Sequence, residues 1–151
     1  MRIAIAADHH GIDYKARLIA MLTEQGHAVD DRGAAAADGV VDYPPLCADL
    51  CGQVVDGSAD RGIVLGGSGQ GEAIACNKVR GVRAGLCHDL FGTAISRGNN
   101  DSNVLVLGTK VVTPQQAEQI VTAWLETPFK GGAHQRRIDQ ISALERGEPL
   151  S

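Results

Sequence analysis

The stretch Gly62-Ile63-Val64-Leu65, followed by Gly66-Gly67-Ser68-Gly69-Gln70-Gly71-Glu72, decides how this chain folds. A short β-branched apolar run that stops at a glycine cluster, with helical spacing resuming at Glu72, reads as a strand entering a helix through a tight turn. The same unit recurs on either side. Ile3 to Ala7, Ala28 to Asp30, Val82 to Leu86 and Val104 to Leu107 are further short apolar runs ended by Gly, Asp or His. Between them, Ile12 to Glu24, Tyr43 to Val55, Glu72 to Lys78 and Leu90 to Arg97 keep a helical period, and Pro114 to Leu125 and Gln135 to Arg146 follow the last strand. This alternation predicts an α/β, doubly wound, Rossmann-like three-layer sandwich with a five-stranded parallel sheet and one extra helix at the C-terminus.

Composition agrees. The chain has 151 residues, 44% hydrophobic, 21% charged and only 3% aromatic, which suits one domain, residues 1–151, built on a buried parallel sheet. A formal charge of −4 argues against nucleic acid or an acidic membrane surface as partner, so an anionic ligand has to be held by a few local cations. Met1 leads straight into the first strand without a signal-peptide pattern, and no apolar run reaches the length of a membrane span. A cytoplasmic protein is expected. Cys47, Cys51, Cys76 and Cys87 are read as free, mostly buried thiols; Cys47 and Cys51 share a helix face, but no histidine sits at a spacing that would complete a metal site.

The remaining punctuation is local. Thr113-Pro114 reads as an N-cap followed by Pro at the first helical position, and Gly131-Gly132 breaks the chain before the last helix, about residues 134–147. A helix left over from the sheet suggests packing on a second subunit. The loop Gly33 to Gly39, with four consecutive alanines, is expected to be mobile.

Ligands of open α/β sheets sit beyond the carboxyl ends of the strands, at helix N-termini. Asp8-His9-His10-Gly11 follows the first strand there, and the Gly66 to Glu72 segment follows the third. Four glycines in six residues let successive N–H groups face a helix start, where an oxyanion is favoured. Dinucleotide and P-loop motifs do not fit, because position 72 is Glu and no Gly-Lys-Ser/Thr is present. A carboxylate beside such a nest suits proton abstraction next to a carbonyl, with the donors holding the developing enolate oxygen and no metal required. The alternative is a merely tight turn in which Glu72 serves the helix dipole, and Asp8 and His9 have a similar alternative as a helix cap and its partner.

Several separated motifs carry a resemblance over nearly the whole chain: Ile5-Ala6-Ala7-Asp8-His9, Asp42-Tyr43-Pro44, Gly66 to Glu72, Ala75-Cys76-Asn77-Lys78, Asn99 to Leu105 and Gly132-Ala133-His134-Gln135-Arg136-Arg137. The chain resembles ribose-5-phosphate isomerase B and its relatives, the galactose-6-phosphate isomerase subunits. The resemblance implies an aldose–ketose isomerase working through an enediolate, without metal or organic cofactor. It also implies a homodimer or homotetramer with each active site at a subunit interface. Where some members carry a cysteine as base this chain has Gly67, so it is similar to the branch with a glutamate at the helix start, here Glu72, assisted by Ser68. Asp8, His9 and Tyr43 would line the sugar-phosphate pocket, and Gly67, Gly69 and Gly71 would bind the carbonyl end. Asn100 would bond a hydroxyl, and Arg137 would reach the phosphate across the interface.

Three positions depart from the family pattern. Asn99 stands where a ring-opening histidine is usual, Lys110 where an arginine is, and Ala133 where another arginine is. A neutral amide is not a comparable proton donor, and lysine keeps charge without the fork geometry. Arg136 and His10 are candidates for compensation. The substrate expected is ribose 5-phosphate. One alternative is a tetrose 4-phosphate, since it cannot close a furanose ring and Asn99 would then suffice; another is a non-catalytic protein that binds a sugar phosphate, against which the retention of Glu72, Ser68 and the glycines together counts.

Overall fold

The computed structural model describes residues 1–151 and contains five strands and six α-helices. In chain order they are β1 (Arg2–Ala7), α1 (Ile12–Glu24), β2 (Ala28–Asp31), α2 (Tyr43–Val55), β3 (Arg61–Gly66), α3 (Gln70–Asn77), β4 (Ala84–Leu86), α4 (Leu90–Gly98), β5 (Val104–Gly108), α5 (Pro114–Glu126) and α6 (Ala133–Glu145). All strand pairs are parallel, in the order β2-β1-β3-β5-β4. The expected sheet is therefore present. Several limits move by one or two residues: β4 starts at Ala84 rather than Val82, α3 begins two residues before Glu72 with Gly69 as its cap, and α6 begins at Ala133 rather than Gln135.

The chain first winds from β1 out to β2 and then returns past β1 to β3, so the direction reverses between β1 and β3. The carboxyl ends of these two strands open a crevice that no crossover covers.

Side-chain alternation separates two cores. Ile3, Ile5, Ile63, Leu65, Leu105 and Leu107 point to one face, where they meet Leu18 and Leu22 of α1 and Ile120 and Trp124 of α5. Ala4, Ala6, Val64, Val104 and Val106 point to the other, against Cys47, Leu50 and Cys51 of α2 and Cys76 of α3. The second face carries small residues, and α2 lies close to it: a Cβ added at Gly62 would stand 2.5 Å from Leu50 Cδ2. All four cysteines are free and buried.

Thr113 caps α5 as its sequence suggests. Its hydroxyl accepts the Gln116 N–H at 3.2 Å, and Gln116 returns a contact to the Thr113 N–H at 2.8 Å. The alanine loop, expected to be mobile, is fastened at its root. The buried Lys15 donates to Asp31 Oδ1 at 2.7 Å and to the Ala34 carbonyl at 2.6 Å, and the Ala34 N–H reaches the Ala7 carbonyl at 2.7 Å. No helix is long and apolar enough to cross a membrane.

Candidate active site

A cleft of about 490 Å³ opens at the crevice, lined by Asp8, His9 and His10 after β1, Val40 to Tyr43 before α2, Gly67, Ser68, Gly71 and Glu72 around the start of α3, and Lys110 after β5. Four loops from separate parts of the chain converge because each follows a strand at the same end of one parallel sheet.

The glycine segment is held by β5. Thr109 N–H donates to the Gly66 carbonyl at 2.8 Å and Lys110 N–H to the Gly67 carbonyl at 2.9 Å. The Ser68 carbonyl passes so close to Gly108 that a Cβ there would sit 2.5 Å from it. Gly69 has a φ of 78°, a left-handed conformation that glycine adopts without strain. The chain thus turns within four residues from strand to helix and sends the Glu72 side chain back over the strand end. A Cβ at Gly66 would land on the Glu72 carboxylate itself, and one at Gly71 on the Tyr43 ring. Gly66 thus leaves room for the Glu72 carboxylate, and Gly71 for the Tyr43 ring.

Glu72 is only 4% exposed, an unusual burial for a carboxylate. Burial pushes its carboxyl above the ordinary range; the neighbouring Asp8 carboxylate acts in the same direction, while its own backbone N–H and His10 pull partly back. A buried carboxylate with a raised pKa is a stronger base once ionised, and it returns a proton readily.

Asp8 is buried as well. Its Oδ1 accepts the His10 N–H at 2.8 Å and its Oδ2 lies 3.4 Å from His10 Nδ1. Val41 N–H points at His9 Nδ1 at 3.3 Å, which assigns the His9 proton to Nε2 and makes that nitrogen a donor. Asp8, His9 and His10 offer donor atoms within 4.8 Å of one another, the spacing of a metal site. Their Nδ1 atoms, however, are engaged with Val41 and Asp8, so the trio reads as a hydrogen-bonded turn presenting N–H groups to an anion. Lys110 adds the cleft's one Lys or Arg ammonium or guanidinium.

Not every expected residue is here. Asn99 and Asn100 follow α4 and precede β5, at the amino end of the sheet; Gly62 pairs with Val104 there, whereas Gly66 pairs with Gly108 at the cleft. A strand of five residues separates the two ends by roughly 15 Å. Asn99 Oδ1 accepts from Lys130 at 3.0 Å, and Asn100 lines a different cavity of about 560 Å³ with Asn77, Arg83, Ile141 and Leu144. Arg136 and Arg137 are exposed on α6 and do not line the cleft either. Conversely, Val40 and Val41 line it without a sequence signal of their own, and Asp42, read from the sequence only as part of a motif, lines it too. Only their place in the chain could have found them, since they immediately precede the N-terminus of α2, and all helix N-termini of such a sheet share one end.

A family model described as ribose/galactose isomerase matches residues 3–141. The chain belongs to that family. Within it, ribose-5-phosphate isomerase B of Escherichia coli is 39% identical over 145 residues, covering 96% of this chain and 97% of that one. D-erythrulose-4-phosphate isomerase of Pectobacterium atrosepticum is 35% identical over 148 residues, covering 98% and 97%. The structure of ribose-5-phosphate isomerase B from Clostridium thermocellum superposes with a TM-score of 0.95 at 39% identity, over 97% of this chain and 99% of that one. The five-stranded fold is that of the family, and membership makes the chain an aldose–ketose isomerase acting on a sugar phosphate.

Proposed function

We propose that this isomerase interconverts ribose 5-phosphate and ribulose 5-phosphate, with Glu72 moving the proton between C2 and C1. The observation that carries the assignment of the base is the Glu72 carboxylate packed against Gly66 at 4% exposure, in a cleft that Lys110, His9 and the glycine turn also line. Glu72 takes the C2 proton, the electron pair forms the C1–C2 double bond of the enediolate, and the N–H groups of the Gly67–Gly71 turn face the oxygen on which charge develops. Ser68, whose Oγ accepts the Gln70 N–H at 3.2 Å, keeps that turn in shape. His9 Nε2 and Lys110 receive the phosphate.

Asn99, Asn100, Arg136 and Arg137 act, on this reading, from a second copy of the chain. For Asn99 and Asn100 the roughly 15 Å between the sheet's two ends supports this, because one copy cannot fold them onto its own Glu72; Arg136 and Arg137 are exposed and do not line the cleft of their own chain. The active enzyme is then a homodimer, or a tetramer of two such pairs.

A tetrose 4-phosphate is the second reading, favoured by Asn99 at the place of a ring-opening group and by the erythrulose-4-phosphate isomerase relative. Turnover on ribose 5-phosphate, erythrose 4-phosphate and a hexose 6-phosphate ranks the substrates. Glu72→Gln is expected to lower turnover on the best of them by about 10²- to 10⁴-fold, the range of a lost general base. Full turnover by that variant would remove Glu72 from the mechanism.

A further inference from the structure

Interconverting an aldose with its ketose moves two hydrogens, one between carbons and one between oxygens. Glu72 accounts for the first. The oxygens need a group that can give a proton to O1 and take one from O2 at neutral pH, and imidazole is the side chain suited to that.

Two imidazoles reach the cleft, and the hydrogen bonds around them assign different roles. His9 Nδ1 accepts from the Val41 backbone, so its Nε2 carries a proton and serves as a fixed donor. His10 is held the other way round. Its Nδ1 faces the buried Asp8 carboxylate, which places a proton on Nδ1 and leaves Nε2 free to gain or lose one. The His10 backbone is tied at both polar atoms, its N–H to Asp8 Oδ1 at 2.8 Å and its carbonyl to Thr109 Oγ1 at 3.1 Å. Its side chain remains 37% exposed, on the cleft wall.

Position decides between oxygen and phosphate. A Cβ at Gly67 would lie 3.5 Å from the His10 ring and 3.6 Å from Lys110 Cδ, while a Cβ at Gly66 would land on the Glu72 carboxylate. Two adjacent residues of the strand end thus carry the base over one and the imidazole over the next. Both side chains line the one cleft, so a C1–C2 unit bound there can face the carboxylate and the imidazole together. Lys110 Cδ lies beside the same Gly67 position, which leaves its ammonium to the phosphate.

We infer that His10, oriented by Asp8, is the second catalytic residue of this site and carries the proton exchanged between O1 and O2. The inference rests on Glu72 being the carbon base. His10 enters the cycle as the imidazolium, its Nδ1–H on Asp8 and a second proton on Nε2: as Glu72 removes the C2 proton, the C–H pair becomes the C1–C2 double bond, the carbonyl pair moves onto O1, and O1 takes the Nε2 proton. In the second half the O2 hydroxyl returns a proton to Nε2, the C2–O2 double bond forms, and Glu72 delivers its proton to C1. His10 and Glu72 both end as they began, with no co-reactant consumed.

The test compares Glu72→Gln, His10→Asn and His10→Ala on the best substrate, with melting curves to establish folding. His10→Asn is expected to lower kcat at least about 100-fold while changing KM less than about threefold, and added imidazole is expected to restore part of the turnover of His10→Ala. Three outcomes overturn the role of His10 while leaving Glu72 in place: kcat of His10→Asn within about twofold of wild type, a loss confined to KM, or a His10→Ala variant that imidazole leaves unchanged. Full activity of Glu72→Gln overturns the underlying reading instead, whatever the His10 variants do.

Discussion

Gly66 and Glu72 are six residues apart in sequence and in contact in space, and the Glu72 carboxylate fits there only because position 66 lacks a side chain. Adding a methyl group there meets the tip of a flexible carboxylate, which can swing aside, so the fold tolerates what the chemistry does not. Gly66→Ala is expected to lose at least about tenfold in kcat with its melting temperature little changed, as read by steady-state kinetics beside calorimetry. Glu72 itself weighs against stability. Its folded pKa lies above the ordinary 4.5, so the folded state holds its proton more tightly than the unfolded chain does. Stability from this group is therefore complete below the ordinary pKa and is lost as pH rises through the folded value. Glu72→Gln removes that loss: its melting temperature should exceed wild type at pH 8 and converge with it near pH 4. A constant difference across that range would mean that Glu72 titrates alike in both states.

At the scale of elements, the two faces of the sheet explain where the helices sit. Ala4, Ala6 and Gly62 leave room for α2 to approach, and α2 in turn brings Tyr43 over Gly71 at the cleft. The other face is filled by Ile, Leu and Trp124. Trp124 is fully buried, and its indole N–H donates to Ser102 Oγ at 2.8 Å, which also meets Ser96 Oγ at 2.7 Å. Arg97 packs over the same ring, with its guanidinium 5.9 Å from the ring centroid, and pairs with Asp101 at 2.9 Å. This network shapes the turn after α4, where Asp101 has a φ of 46°. Ser102→Ala strands a buried indole N–H and should cost about 1–3 kcal/mol in urea unfolding. An unchanged midpoint would mean that the indole finds another acceptor.

For the whole molecule, the exposed Ile141 and Leu144 on α6 and the distance of Asn99 and Asn100 from the cleft are consistent with the proposed dimer, in which a second copy would cover the first and complete its site. A mixing experiment checks it. Glu72→Gln and Asn100→Ala chains, each impaired alone, should regain about a quarter of wild-type activity when unfolded together and reassembled at equal amounts, because half the dimers are mixed and each has one intact site. No regain on mixing would place Asn100 outside the partner's site.

Much of this was legible in the chain itself. Five apolar runs alternating with helical segments specify a parallel sheet, since only strands buried on both faces are apolar throughout, and the rule that ligands lie at the strands' carboxyl ends pointed to Asp8, His9 and the glycine turn before any coordinates. What one-dimensional spacing could not contain is which side chains meet across strands. The burial of Glu72 against Gly66, the pairing of Asp8 with His10, the approach of Val41 to His9 and the placement of Lys110 beside Gly67 all depend on the order β1-β3-β5, which the alternation of elements leaves free. The same geometry sends Asn99 and Asn100 to the opposite end. A strand has two ends, and only the folded sheet shows which residues share one.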